Sequence, residues 1–378
     1  MSQQRIARIT EHFALFEDPR SDHTKKHMLL DIIVIAICAV ISGADGWVSI
    51  EEYGNAKLEW LGAFLELPNG IPSHDTFGRV FAALDPKAFQ RCYLRWVRTV
   101  AKMTKGQVIA IDGKAVRRSH DRRLGKDAIR MVSAWATANR MVLGQVKVHD
   151  KSNEITAIPE LLRVLQVRGC IVTIDAMGCQ KRIAKAITER GGDYVLAVKK
   201  NQGRLYEEVK QLFGYGQSIE YKDTKHDYHE TVGKGHGRIE TRRCWTIDDR
   251  DYLLYMRDRE RWQDIRSIAK VVGERRIGDK VSVETRYYIS SLECNAEMIL
   301  HAVRNHWTIE NSLHWVLDIA FREDESRIRN GNGAESFAIL RRIAVSLLKQ
   351  EGTAKCGVKT RRLKAAWDTD YLLKVLPI

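Results

Sequence analysis

The chain has 378 residues, 44% of them hydrophobic and only 6 of them proline, so it reads as globular throughout, with material for two or three structural units. Its 62 Lys and Arg against 48 Asp and Glu give a net charge of +14, which points to a polyanionic partner reached by long-range attraction and counterion release. The seven cysteines show no C-x-x-C pair and sit mostly in apolar or helical contexts, so they read as reduced residues of a cytoplasmic protein.

In chain order, residues 1–105 read as an all-helical unit. The run from Met28 to Ala44 is the most apolar, but Asp31 interrupts it and it falls short of the roughly 20 residues of a membrane span, so a buried helix over Leu29 to Ile41 is expected. The first dozen residues are polar and mixed in charge, unlike a secretory leader. Gly43-Ala44-Asp45-Gly46 breaks the helix, and amphipathic segments follow at Trp47 to Ala56, Leu58 to Leu67 and Ser73 to Leu84. Ser73 with Thr76 behind it supplies N-cap chemistry for the last of these. Short helices with tight turns fit a DNA reader and a plain bundle equally well.

From 106 to 205 the pattern alternates strand and helix. Gln107 to Ile111 is a strand, Met131 to Ala138 and Met141 to His149 form a hairpin, and Ile158 to Leu165 is a helix. Cys170 to Ile174 is the next strand, Gln180 to Arg190 a helix closed by Gly191-Gly192, and Tyr194 to Lys199 a further strand. Three strands, then helix, strand, helix, strand, is the order of a ribonuclease-H-like fold, in which the first and fourth strands are neighbours. The fold class expected is therefore α/β: a ribonuclease-H-like core over 106–205 and 290–350, with a β-rich subdomain inserted at 206–289. Helices are expected over Ala296 to Ala320 and Ala334 to Gln350, and a basic tail over 351–378.

Three acids punctuate this pattern. Val108 to Ile111 and Ile171 to Ile174 are apolar runs that stop at Asp112 and Asp175, as a central strand does when its last side chain serves a site, and a helical stretch offers Glu310. An aspartate after a strand is also a common turn or helix cap. Asp, Asp and Glu provide oxygen ligands and no thiolate, so the matching cofactor is Mg²⁺ or Mn²⁺, bound as two ions that activate an oxygen nucleophile and stabilise the leaving oxygen of a phosphodiester. His306 and His314 flank Glu310 one helical turn away on each side, with Asp318 a turn further, which leaves open a zinc set of His306, Glu310 and His314, although the H-E-x-x-H pattern is lacking. Trp245, Trp262, Trp307 and Trp315 are candidates for stacking on a base, each weighed against an ordinary place in the core.

At these residues the chain resembles the DDE transposases of bacterial insertion sequences, in their H-repeat-associated branch. The similar stretches are Ile111-Asp112-Gly113-Lys114, Lys151 through Pro159, Thr173 through Gly178, Lys200-Asn201-Gln202, His306 through Asn311 with Leu313-His314-Trp315, and Phe321 through Asp324. Asp18-Pro19-Arg20 and Ile41 through Asp45 are similar to the amino-terminal part of that branch. The resemblance implies a catalytic and metal-binding triad at Asp112, Asp175 and Glu310. It also implies Mg²⁺-dependent cleavage at element ends and attack of the freed 3′-hydroxyl on target DNA. Double-stranded DNA would be the partner, met by a homodimer or higher multimer with no membrane involvement. Lys114, Arg117, Arg118, Lys199, Lys200, Asn201, Arg304 and His306 are the candidate DNA contacts.

One departure matters. Related transposases often carry Tyr seven before, Arg four before and Lys seven after the glutamate, where this chain has Val303, His306 and Leu317. Glu323 and Asp324 therefore stand as alternative third acids. A DNA-binding recombination protein and a nuclease on the same core are the competing functions.

Overall fold

A computed structural model describes residues 9–14, 16–22, 25–101, 104–120, 125, 127–149, 152–235 and 237–376. The basic pair Arg122-Arg123, and Lys151 of the similar stretches, lie outside the described residues.

The amino-terminal part is helical: α1 (Ile9–Phe13), α2 (Leu29–Ile41), α3 (Trp47–Ala56), α4 (Leu58–Gly62), α5 (His74–Ala83) and α6 (Pro86–Val100). The apolar run of α2 is buried, and its Asp31 is tolerated inside because Oδ2 accepts the Leu67 N–H at 3.0 Å. Ser73 caps α5 as expected. Helix α6 was not among the expected segments, though Asp85 caps it and Pro86 occupies its first turn, a start signal present in the sequence. Among the described residues, no helix is long and apolar enough to cross a membrane. All seven cysteines are free.

The chain continues through β1 (Val108–Ala115), β2 (Arg130–Ala136), β3 (Met141–Lys147), α7 (Glu154–Val164), β4 (Ile171–Ile174), α8 (Lys181–Thr188), β5 (Asp193–Val198) and α9 (Gly203–Ser218). Then come β6 (His226–Gly235), β7 (Arg238–Ile247), α10 (Arg250–Leu254), β8 (Ser267–Ile277) and β9 (Lys280–Ser290). The last elements are α11 (Ala296–His306), a π-turn at Glu310–His314, α12 (Trp315–Ile319), α13 (Gly333–Gln350), α14 (Val358–Trp367) and α15 (Thr369–Val375).

The nine strands form one mixed sheet in the order β3-β2-β1-β4-β5-β9-β8-β7-β6. Strands β1, β4 and β5 run parallel, and the remaining pairings are antiparallel. The molecule is thus mixed α/β. The inserted strands do not make a sheet of their own, as the sequence pattern had suggested. β9 pairs with β5 (Val195 opposite Ser290), so the insertion covers what would otherwise be an exposed edge of the central strands. The inserted stretch also opens with α9, a 16-residue helix that the alternation reading passed over.

Alternation along the strands sorts the sheet into two faces. Ile109, Ile111, Val172, Ile174 and Leu196 join the large core shared with α2, α7 and α13. Val108, Ile171, Val195 and Tyr288 pack beneath α11 against Ile299, Leu300 and Val303. Helix α13 is buried along nearly its whole length and packs on α2, α5 and β3.

Two adjacent arginine pairs, Arg341-Arg342 and Arg361-Arg362, turn inward: Arg341, Arg342 and Arg362 are buried and Arg361 is half-buried. Arg341 and Arg342 of α13 are 1% and 0% exposed, and the Arg342 Nη1 donates to Glu323 Oε1 at 2.8 Å. Residues 351–376 are not a loose basic tail: they carry α14 and α15, and Arg361 donates to the carbonyls of Leu348 in α13, of Glu351 just after it and of Cys356. Arg362 is buried on the carbonyls of Val40 and Ala44. A guanidinium can enter the interior when its donors meet carbonyls or a carboxylate; Arg362 and Arg361 do so, whereas Arg341 Nε and Nη2 and Arg342 Nη2 are buried without a hydrogen-bond partner and depend on the Glu323 charge.

Burial works against the Glu323 charge, yet Arg342 and Arg341 hold its carboxyl below the usual range. A lowered carboxyl contributes stability that is complete above its unfolded value, about 4.3, and fades as the pH falls through the folded value. Arg342→Met is therefore expected to cost about 3–5 kcal/mol in urea unfolding at neutral pH, because a buried charge is left behind. Adding Glu323→Gln should restore part of that loss.

Candidate metal and nucleic-acid site

The parallel register of β1 on β4 ends with Ile111 opposite Ile174, so Asp112 and Asp175 are the next residues on adjacent strands. Both continue the alternation of the face under α11 (Val108, Ala110, Asp112; Ile171, Thr173, Asp175), which is why two distant segments aim their acids the same way. The sequence placed Asp112 at a strand end. Instead β1 runs on to Ala115, with Asp112 opposite Ser133 of β2, and only the pairing with β4 stops at Ile111.

Glu310 arrives from the other side, at the start of the π-turn that interrupts the helical run after α11. Asp112, Asp175 and Glu310 line one cavity of about 170 Å³ together with Thr173, Lys199, Arg286, His306 and Trp307. A larger cavity of about 770 Å³ lies elsewhere, between Trp47, Arg79 and Arg327, and contains none of these acids.

Ligand atoms of Asp112, Glu310 and His314 all lie within 4.8 Å of one another. The His314 Nδ1 sits 3.4 Å from Asp112 Oδ2 and 3.3 Å from Glu310 Oε2. Asp175 stands outside this closest group and uses Oδ1 to accept the N–H groups of Met177 and Gly178 at 3.0 and 3.3 Å. It is thus a cap as well as a cavity-lining acid. Gly178 is required in that turn, because a Cβ there would meet Ile174 Cγ2 at 2.2 Å.

The electrostatics combine burial with crowded like charges. Burial, then the neighbouring Glu310 and Asp175 carboxylates, push the Asp112 carboxyl well above the usual range. Glu310 moves the opposite way, held down by its hydrogen bond with His314. A further acid that the sequence offered only as part of a similar stretch, Glu154 at the start of α7, is raised by burial and then by Asp175. Gly113 makes room for it: a Cβ at that position would lie 2.3 Å from the Glu154 carboxyl carbon. Arg286 of β9 was also missed. Its signal was the alternation Glu284, Arg286, Tyr288, which turns all three to one face, and its guanidinium lies 4.6 Å from the Trp307 ring centre.

The candidate DNA contacts divide. Lys199 lines the acid cavity and is exposed, as are Lys200, Arg118 and Arg304, with Arg304 on a neighbouring cleft beside Arg238, Arg242 and Arg275. Arg117 is exposed but paired with Asp324 at 3.1 Å. Lys114 does not face solvent: its ammonium lies 2.7 Å from Asp318 and 3.0 Å from Asp324, and its side chain is 8% exposed. Asn201 spends its amide on the Ala176 carbonyl at 2.6 Å, and Gln202 does the same for Cys179 at 2.9 Å, so this stretch clamps the turn that follows Asp175. His306 bonds Thr173 Oγ1 at 3.1 Å, and burial holds it below the ordinary imidazole value. It therefore leaves the zinc set considered from the sequence. Glu323 is buried in its arginine pair and Asp324 is engaged by Lys114 and Arg117, so neither joins the cavity with Asp112. Trp262 is buried, whereas Trp307 and Trp315 are 45% and 60% exposed.

Residues 103–347 match the family described as "Transposase DDE domain", and residues 10–97 match the associated family "DDE_Tnp_1-associated". The chain is 41% identical over 375 residues, 98% of each chain, to "H repeat-associated putative transposase YhhI" of Escherichia coli K12. It is 42% identical over 378 residues, 98% of this chain and 95% of the other, to "Putative transposase YncI" of Escherichia coli O157:H7. A solved piggyBac transposase synaptic complex with hairpin DNA overlaps 99% of this chain and 79% of its own at a TM-score of 0.42 and 10% identity, too distant a likeness to transfer fold or function.

Two outcomes follow from the charge crowding. A raised carboxyl stabilises the fold only at low pH, and that contribution is lost as the pH rises from about 4 through the raised value. Asp112→Asn should accordingly melt above wild type in EDTA at pH 8, with the gap closing toward pH 4 in thermal scans. Gly113→Ala should force the Glu154 carboxylate aside and cost about 1–3 kcal/mol in urea unfolding.

Proposed function

The chain belongs to the transposase DDE-domain family, and on that premise we propose that it is a metal-dependent transposase that cuts DNA at element ends and joins the freed 3′-hydroxyl to target DNA. The single observation that carries this reading is the convergence of Asp112, Asp175 and Glu310 on one cavity that also holds Lys199 and Arg286. The strand order β3-β2-β1-β4-β5, with β1 parallel to β4, supports a ribonuclease-H-like core beneath that cavity. In this reading residues 106–205 and 290–350 are the catalytic core, 206–289 an appended set of strands and 1–105 a helical unit available for DNA contact.

The donor set fits a hard divalent cation. Clustered carboxylates with oxygen ligands, one of them pushed toward its neutral form by burial and then by its neighbours, gain most when a cation replaces the proton. Asp112, Asp175 and Glu310 would hold Mg²⁺ or Mn²⁺, which when bound supplies activation of an oxygen nucleophile and stabilisation of the leaving oxygen. The chain's own groups do the rest. Lys199, and Arg286 once it yields its pairing with Glu284, draw a phosphodiester toward the acids, and Arg304 on the adjoining cleft with the exposed Lys200 and Arg118 adds positive charge for a duplex backbone. Asn201 and Gln202 fix the turn that carries Asp175, and Lys114 ties β1 to α12 so that Asp112 and Glu310 keep their separation. Work on both element ends and a target fits a multimer acting on double-stranded DNA in the cytoplasm.

Asp112→Ala and Asp175→Ala are expected to lower cleavage and strand transfer by about a thousandfold or more, the equivalent of about 4 kcal/mol, while retaining DNA in a gel-shift assay. Undiminished activity in EDTA would overturn the metal reading, and cleavage without joining would identify a nuclease. Affinity for DNA should fall by about a thousandfold or more between roughly 50 and 200 mM salt.

A further inference from the structure

We infer that His314 is a direct ligand of the cation held by Asp112 and Glu310, so that this subsite has a nitrogen donor and the site as a whole is asymmetric. The inference rests on the metal reading proposed above and adds to it a residue outside the Asp, Asp, Glu triad.

The imidazole is 5% exposed, in a place where a polar ring needs a reason to be. Its Nε2 is buried with no hydrogen-bond partner, so nothing on that side accounts for its position. Its Nδ1, by contrast, points between two carboxylates, at 3.4 Å from Asp112 and 3.3 Å from Glu310. A cation about 2 Å from each donor fits among three atoms that lie within 4.8 Å of one another. The wider π-turn contains both Glu310 and His314, and single π-turns within helices recur at functional sites. His306, the histidine that lines the cavity, has its Nδ1 engaged by Thr173.

The chemistry of the set differs between its two ends. Around Asp175 the neighbouring acid is Glu154, and the nearby His306 has its Nδ1 engaged by Thr173, so the set there is richer in oxygen, which suits Mg²⁺. Around Glu310 the donors are two carboxylates and an imidazole, a mixture that favours ions with appreciable nitrogen affinity, Mn²⁺ over Mg²⁺ and Zn²⁺ more strongly still. Swapping Mg²⁺ for Mn²⁺ should therefore affect the Glu310 end first.

Pulsed electron paramagnetic resonance of the full chain loaded with Mn²⁺ tests this directly. Wild type should show coupling of bound Mn²⁺ to an imidazole nitrogen, and the pattern should change in protein grown with ¹⁵N-histidine, a comparison that needs no variant. His314→Gln should lose the coupling and bind Mn²⁺ about tenfold or more weakly, whereas His306→Gln should retain it. Bound Mn²⁺ that is lost in Asp112→Asn but shows no nitrogen coupling in wild type overturns the role of His314 and leaves the carboxylate site standing. Coupling that persists in His314→Gln overturns it as well. Mn²⁺ binding unaffected by Asp112→Asn, or no Mn²⁺ binding at all, overturns the metal reading and this inference with it.

Discussion

Carboxylates held together in a partly buried cavity repel one another, and the architecture around Asp112, Asp175, Glu310 and Glu154 is organised by the need to hold them there. Burial first, and then this repulsion, displace Asp112 and Glu154 upward. It is not relieved at the cavity by close arginine or lysine partners for the acids themselves. Instead the restraint is applied one layer back. Lys114 bridges β1 to Asp318 and Asp324, the Arg342–Glu323 pair anchors the segment between α12 and α13, and Asn201 with Gln202 grips the turn after β4. The acids stay close because their backbones are fixed, which leaves their oxygens free for a cation.

This arrangement changes the meaning of the net charge. Part of the +14 is spent in the interior or along its rim, on Lys114, Arg341, Arg342, Arg361 and Arg362. Of what remains outside, Lys199 lies at the cavity and Arg304 at the adjoining cleft. Counting basic residues does not locate the positive surface, because a guanidinium facing carbonyls and one facing water are the same letter in a sequence.

The two aspartates were legible because their environment is local. Apolar alternation over Val108 to Asp112 and Ile171 to Asp175 fixes which face each acid takes, and the order of elements makes the two strands neighbours. Helix α2, the hairpin of β2 and β3, and most of the later strands were readable for the same reason. Helix α6 and helix α9 were overlooked, the first despite its Asp85-Pro86 start signal. The π-turn could not be read, since it is one extra residue in a helical turn and leaves no mark on hydrophobic periodicity. Nor could the fates of Lys114, Asn201 and Glu323, whose partners are supplied by elements far away in the chain. Arg286 was within reach of the alternation argument, but only the pairing of β9 with β5 brings it to the cavity.

That last pairing has an architectural consequence. The polypeptide departs from the central sheet at β5 and rejoins it at β9, hydrogen-bonded side by side, so the excursion between them starts and finishes at the same doorway. Whatever is threaded through that doorway, long or short, closes a loop whose ends already touch, and loop length adds only slowly to the entropy of closure. The outer strands are therefore an exchangeable module: their size and shape can be altered while the positions of the strands that present Asp112 and Asp175 stay as they are.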